Sequence, residues 1–225
     1  MIKAENCSLQ YKDGTLALKP FHLNIGHGET LFVMGPSGSG KTSLLKLILG
    51  IEMPSQGTFE VLGQPIKPGH EASIRLLRTK IGPIFQEFRL LEGRSVLENV
   101  ILGLRFLDYS SGEMKTLANE YLERVGLGHK IHHTVDRLSW GECQRVAIAR
   151  AVVRKPKLIV ADEPTGNLDK SNAINVLKLL ASFNDGETSV IITTHATHLV
   201  EHVSATSRLH MKNGEFEIER CLNHG

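Results

Sequence analysis

The chain has 225 residues, enough for one large domain or a domain carrying a subdomain, with a sizeable buried core. Hydrophobic residues make up 41% and charged residues 22%, ordinary globular proportions that exclude disordered, collagen-like and disulfide-scaffold classes. The 26 Lys plus Arg nearly balance the 24 Asp plus Glu, a formal charge of +2, so the footprint of a dedicated nucleic-acid binder is missing and no such partner is expected.

Apolar runs rich in Val and Ile alternate with longer segments of helical period, the pattern of an α/β chain whose mostly parallel sheet is covered by helices. Residues 1–6 carry an acid and lack an apolar core, so they do not read as a secretory signal. Residues 30–34 read as a buried strand entering a glycine-rich turn, and residues 41–49 have the composition of a helix. The greasiest stretch, residues 44–51, is interrupted by Lys46 and falls far short of the roughly 18 apolar residues of a membrane span. Any membrane role is therefore expected to run through a partner. Further strands are expected at 57–62 and 81–85. From about Glu87 to Arg154 helical patterns take over, at 96–106, 115–125 and 141–153, as a helical subdomain inserted into the sheet domain. This divides the chain into 1–86 and 155–225 as the core and 87–154 as the insert. Strands resume at 158–161 and 189–193. Near the end, 207–212 and 215–219 flank Asn213-Gly214, the favoured pair for a type I′ hairpin, and residues 221–225 are expected to fray.

Gly35-Pro36-Ser37-Gly38-Ser39-Gly40-Lys41-Thr42, followed by Ser43, fits G-x-x-x-x-G-K-[ST] between an expected strand and an expected helix. The glycines let successive backbone N–H groups curl around phosphates at a helix start. Lys41 then meets the β/γ oxygens and Thr42 is a ligand for Mg²⁺. Leu158-Ile159-Val160-Ala161-Asp162-Glu163 is a buried strand delivering two acids to its C-terminal edge, where open α/β sheets bind ligands. In this reading Asp162 holds the Mg²⁺ shell and Glu163 orients and deprotonates water. Cys7, Cys143 and Cys221 are widely spaced, form no metal-ligand pattern and fit a reducing compartment, so no structural zinc is expected. His198 and His202, and the group His129, His132 and His133, lack a matching carboxylate and cysteine set and are not read as metal ligands.

Leu138-Ser139-Trp140-Gly141-Glu142 resembles the signature motif of ABC-type ATPases. Tyr11, Gln86 after the 81–85 strand, Gly166-Asn167-Leu168-Asp169 and His195 stand around it in the family's order, so the resemblance covers nearly the whole chain. It implies a P-loop NTPase core, an antiparallel β subdomain and the inserted helical subdomain. It also implies ATP hydrolysis with Mg²⁺. By resemblance, Tyr11 stacks on adenine, Gln86 reports Mg²⁺ and water, and His195 bonds the γ-phosphate. Ser139, Gly141, Glu142 and Asp169 then belong to the nucleotide site. Ser139 and Glu142 also spell a capping box, so a helix starts there in any case, and a helix start is an anion site. In the family that start addresses the nucleotide of the opposite subunit, which implies a head-to-tail homodimer around two ATP. Two residues depart from the pattern: Trp140 where glycine is usual, and Cys143 where glutamine is common.

Pro164-Thr165-Gly166-Asn167-Leu168-Asp169 resembles the form in ATPases of lipoprotein release, macrolide-type export and cell division, and residues 85–100 look closest to the cell-division member. The implied partner is an integral-membrane permease, with the chain peripheral on the cytoplasmic face of the inner membrane. Phe88, Leu90 and Leu91 either receive a permease helix or pack internally. A slow ATP-gated scaffold and a solute-transporter ATPase are the alternatives. A metabolic P-loop kinase leaves the Ser139 motif unexplained, and the insert lacks the sustained heptads of chromosome-associated relatives.

Overall fold

The computed structural model describes residues 1–221. In chain order, β1 (Ile2–Gln10) and β2 (Leu16–Ile25) form an antiparallel pair, and β3 (Thr30–Met34) leads into α1 (Lys41–Ile48). Next come β4 (Gln56–Val61), β5 (Gln64–Pro65), α2 (Glu71–Thr79) and β6 (Ile81–Ile84). The all-helical stretch holds α3 (Val96–Ile101), α4 (Ser111–Arg124) and α5 (Trp140–Val152) with short 3-10 turns between them. The chain then runs through β7 (Leu158–Ala161), α6 (Lys170–Ala181), β8 (Ser189–Thr194), α7 (Thr197–Val200), β9 (Ser207–Lys212) and β10 (Glu215–Arg220). The expected fraying of residues 221–225 falls on 222–225, outside the described residues; the Cys221 N–H itself donates to Thr206 O at 2.9 Å.

The strands form two sheets, a four-stranded antiparallel one ordered β2-β1-β4-β5 and a six-stranded one ordered β10-β9-β3-β8-β7-β6. Within the larger sheet β9, β3, β8, β7 and β6 are mutually parallel and β10 pairs antiparallel with β9. Strands buried on both faces read as unbroken apolar runs. Phe32, Met34, Ile159, Ala161, Val190 and Ile192 pack toward the helical subdomain, whereas Leu31, Val33, Leu158, Val160 and Ile191 pack toward α1 and the antiparallel sheet. The Asn213-Gly214 turn has φ of 51° and 77°, the positive pair that type I′ demands, with Lys212 opposite Glu215. Its Gly214 N–H donates to Ser39 O at 3.1 Å and its carbonyl accepts from Lys19 N–H at 2.9 Å, so the ribbon braces the phosphate loop against β2.

Three helices of the insert start on a serine capping box: Ser95 with Glu98, Ser110 with Glu113, and Ser139 with Glu142. Each cap stabilises its helix by about 1 kcal/mol. Local differences from the sequence reading have local causes. The helix expected over 96–106 gives way to a 3-10 turn after Ile101, where Gly103 lies so close to Arg150 O that a side chain has no room. The 115–125 helix starts at Ser111 because Ser110 caps it.

Candidate functional site

Strand β3 ends at Met34, and the loop that follows wraps into α1 with Gly40 as the first residue's cap. Gly40 has φ of 107°, and a Cβ there would lie 2.8 Å from Ala17 O, so both conformation and space require glycine. No side chain caps α1, which leaves the N–H groups of its first turn for an anion. Ser39 Oγ is buried without a hydrogen-bond partner. An orphaned buried hydroxyl costs about 1–3 kcal/mol, and here it points to a ligand that supplies the missing acceptor. Ser37 and Gly38 are exposed at the tip, and Ser43 is buried behind it.

Lys41 is buried, and its ammonium donates to Gly35 O (2.9 Å) and Pro36 O (3.1 Å) and pairs with Glu163 Oε1 at 3.2 Å. Both side chains of that pair are largely shielded, at 7% and 12% exposure, so removing either strands a buried charge. Glu163 Oε2 lies 2.9 Å from His195 Nδ1 and accepts the His195 backbone N–H at 3.1 Å. Strands β7 and β8 thus deliver Glu163 and His195 to one edge, in line with Lys41. Glu163 sits at φ 45°, a left-handed conformation that costs a non-glycine residue of order 1–3 kcal/mol and is over-represented at active sites.

Thr42 Oγ1 approaches Asp162 Oδ2 at 3.2 Å and Oδ1 at 3.4 Å. A hydroxyl and a carboxylate converging beside the phosphate loop are hard oxygen donors of the kind Mg²⁺ prefers. Thr193 is the residue that sequence reasoning missed. Its buried hydroxyl donates to Asp162 Oδ1 at 2.8 Å and accepts the Glu163 N–H at 2.9 Å, so one side chain orients both acids. The signal was present as Thr193-Thr194, two hydroxyls ending the apolar run Val190-Ile191-Ile192.

Tyr11 follows β1 rather than lying within it, and its hydroxyl pairs with Ser43 Oγ at 2.9 Å. It lines a cavity of about 450 Å³ with Leu16, Gly38, Gly40, Lys41 and Thr42, a size suited to a nucleoside. The Lys46 ammonium lies 5.3 Å from the ring centroid, a cation–π contact. Gln86 is exposed two residues beyond the end of β6, and its amide borders the Gly166 turn.

The signature residues form a separate group. Ser139 is exposed at the start of α5, its hydroxyl accepting the Glu142 N–H at 3.4 Å while Glu142 Oε2 accepts the Ser139 N–H at 2.9 Å. Lys130 donates to Glu142 Oε1 at 2.6 Å, and that bond, with the Ser139 N–H, holds the Glu142 carboxyl down from its usual 4.5 to about 2. Cys143, partly buried, turns its thiol toward Val135 O, and burial pushes its pKa up. Leu168 packs beside Gly141, and Asp169 caps α6 through the Asn172 N–H at 3.0 Å, a bond that lowers its carboxyl pKa. Among the described residues no hydrogen bond joins Ser139, Gly141 or Glu142 to the chain's own phosphate loop.

Residues 18–166 match the family described as ABC transporter. The cell division ATP-binding protein FtsE of Mycobacterium tuberculosis is 39% identical over 202 residues, which span 89% of this chain and 88% of FtsE. Among solved structures, cbiO1 of Clostridium perfringens, part of the ABC transporter complex cbiONQ, superposes with a TM-score of 0.87 at 32% identity, covering 96% of this chain and 86% of cbiO1. The dimeric post-hydrolysis ATP-binding cassette MJ0796 with ADP and Pi superposes at 0.86 with 32% identity and 98% coverage of both chains. The phosphate loop, its two acids and the match across the sheet and helices together establish that this chain belongs to the ABC transporter ATP-binding family, as an ATPase that uses ATP and Mg²⁺.

Proposed function

We propose that this chain is the ATP-hydrolysing subunit of an ABC complex of the cell-division or lipoprotein-release kind. In this reading it dimerises head to tail around two nucleotides and drives a separate integral-membrane permease. The observation that carries it is the division of the site. Lys41, Glu163 and His195 converge at one edge, whereas the exposed start of α5 has no bond to that loop and is free to serve a second copy. The dimeric cassette MJ0796 supports a pairing of two copies, and the FtsE relative supports the cell-division branch.

In this reading the geometry and the family resemblance together support a role for each residue. Gly35, Ser37, Gly38, Ser39, Gly40 and Lys41 cradle the phosphates, and Tyr11 flanks the base. Thr42 and Asp162, which converge, would hold Mg²⁺ with Gln86 completing the set as the family resemblance implies, and the ion would neutralise charge on the phosphate oxygens. Glu163 takes the proton of the attacking water, worth roughly 10²–10⁴ in rate, and His195 donates toward the charge that develops, worth roughly 10²–10³. The Ser139 hydroxyl and the Gly141 N–H approach the nucleotide of the opposite subunit, and Glu142 and Asp169 fix the helix starts beside it. Residues 1–86 and 155–225 form the nucleotide-binding body and 87–154 the helical subdomain.

No helix among the described residues is long and apolar enough to cross a membrane. In the proposed complex the chain meets the membrane through the permease, on its cytoplasmic side. The docking segment is 88–91. Leu90 packs against the helical core, but Leu91 is 48% exposed and borders a groove of about 340 Å³ whose apolar floor of Ile101, Leu102 and Met114 is flanked by Arg94, Glu98 and Arg105. The cbiO1 likeness supports a second reading, the ATPase of a solute transporter.

The test is Glu163→Gln, which keeps the phosphate contacts and removes the base. With Mg-ATP this variant is expected to accumulate as a dimer in size-exclusion chromatography; a monomer at every ATP concentration overturns the sandwich. The membrane protein that co-purifies with the chain then separates the two readings, a few-span protein with a large extracytoplasmic domain from a multi-span pore.

A further inference from the structure

The ring of Phe88 meets the indole of Trp140 edge to face, with centroids 4.6 Å apart and planes at 60°. The two residues come from different parts of the proposed machinery. Phe88 lies two positions after Gln86, on the segment that leaves β6, and Trp140 directly follows Ser139 in the first turn of α5. The far end of the same helix grips the same segment, since the Arg150 guanidinium donates to both Phe88 O and Arg89 O, the latter at 2.6 Å. Asn99 of α3 closes the segment on the other side, accepting the Leu91 N–H at 2.8 Å and donating to Leu91 O at 3.1 Å.

Arg150 and Asn99 hold backbone and act on the segment whatever residue stands at 140. Among the aromatic and hydrogen-bond contacts of the described residues, the ring pair is what ties the segment to the exposed end of α5, where Ser139 stands. A glycine at position 140 has no side chain to meet Phe88. Trp140 itself is 48% exposed, so its ring is not a core residue of the subdomain and its presence there is not required for packing.

We propose that Trp140 and Phe88 form a clasp that sets the position of Ser139 relative to Gln86, making Trp140 a positioning residue for ATP-dependent dimerisation. This rests on the proposed sandwich of two copies around ATP. With the clasp closed, the α5 start that faces the opposite nucleotide and the segment that carries Gln86 move as one body. With it open, the α5 start explores positions that do not meet the opposite nucleotide, and more ATP and protein are needed to assemble the dimer. An exposed aromatic pair shifts such an equilibrium by roughly 2- to 12-fold.

The test uses the Glu163→Gln chain with Mg-ATP as background and reads the protein concentration for half-maximal dimerisation by analytical ultracentrifugation. Trp140→Gly, Phe88→Ala, the double variant and Trp140→Phe are compared, with thermal midpoints measured for each. Each single variant is expected to raise the half-maximal concentration about 2- to 12-fold, the double variant no more than either single one, and Trp140→Phe to restore the parental value. Trp140 is the only tryptophan in the chain, so indole emission comes from this position alone, and in the nucleotide-free monomer Phe88→Ala is expected to shift it to longer wavelength. Unchanged dimerisation in both single variants, additive losses in the double variant, or failure of phenylalanine at 140 to rescue each overturns the clasp. If the Glu163→Gln background forms no dimer, the sandwich reading falls first and the clasp with it; a parental dimer in every variant overturns the clasp alone.

Discussion

Thr193→Val is the most informative single substitution at the acid pair. Valine keeps the shape and the β-branched fit of a strand position that is fully buried, but removes the hydroxyl. Two bonds go with it, the 2.8 Å donation to Asp162 Oδ1 and the 2.9 Å acceptance from the Glu163 N–H. A hydrogen bond to a charged group is worth about 1.5–3 kcal/mol, and a stranded N–H costs about 1–3 kcal/mol. Partial relaxation toward solvent lowers the sum, so the expected loss of stability is about 2–4 kcal/mol, or roughly 4–16 °C in Tm for a chain of this size. Glu163 already occupies a left-handed backbone well, and the Thr193 hydroxyl is what its N–H holds on to. Without it the carboxylate drifts, and a displacement of about 1 Å costs on the order of 10²-fold in kcat. Thr193 touches neither Lys41 nor Ser39 directly, and reaches the phosphate loop only through Glu163 beside Lys41 and Asp162 beside Thr42, so ATP affinity is expected to fall by less than kcat. Differential scanning fluorimetry, nucleotide titration and steady-state hydrolysis measure the three quantities. A valine variant with parental Tm and kcat refutes the assignment of Thr193 as the residue that orients both acids, and an equal fall in affinity and kcat shows that the phosphate loop depends on it too.

His195→Ala is expected to slow hydrolysis by roughly 10²–10³, the loss of one donor worth about 2.7–4 kcal/mol, with a smaller loss of ATP binding; hydrolysis at the parental rate places His195 outside the reaction. Glu142 gives a prediction for pH. Its carboxyl is depressed in the folded chain to about 2 by the Lys130 bond and the Ser139 N–H, so it contributes stability above its unfolded value of 4.5 and loses it as pH falls toward 2. By pH 3 that loss is about 1–2 kcal/mol after allowance for solvent screening. Lys130→Met is expected to flatten this part of the denaturant-measured stability profile, and an unchanged slope between pH 6 and 3 shows that the pair does not carry it.

Much of this site was legible as one-dimensional pattern because its parts are local. The phosphate loop depends on consecutive glycines and a lysine, the signature helix on Ser139 and Glu142 three residues apart, and the hairpin on Asn213-Gly214, whose positive φ angles few other pairs tolerate. Parallel strands announced themselves as unbroken apolar runs because helices or a second sheet cover both faces. Strands β1 and β2 were not legible in this way. Bulges around Asn6 and Cys7 break the alternation of β1, and Pro20 sits in β2, which the fold tolerates because β2 is an edge strand. Helix α6 was readable in principle from Ala173, Val176, Leu177 and Leu180, whereas α2 buries only Ile74 and Leu77 and carries little signal.

What the sequence by itself determined is the set of chemical groups and the short segments that hold each one, since capping, glycine conformations and strand burial are decided by residues within a few positions of each other. What only the tertiary structure decided is which groups meet. Lys41 reaches Glu163 across 122 positions, Thr193 bridges two acids from a neighbouring strand, and Trp140 finds Phe88 from the far side of the helical insert. Such contacts depend on the order and register of the strands, β3 beside β8 and β8 beside β7, which is fixed by packing the two cores together and leaves no local trace in the chain.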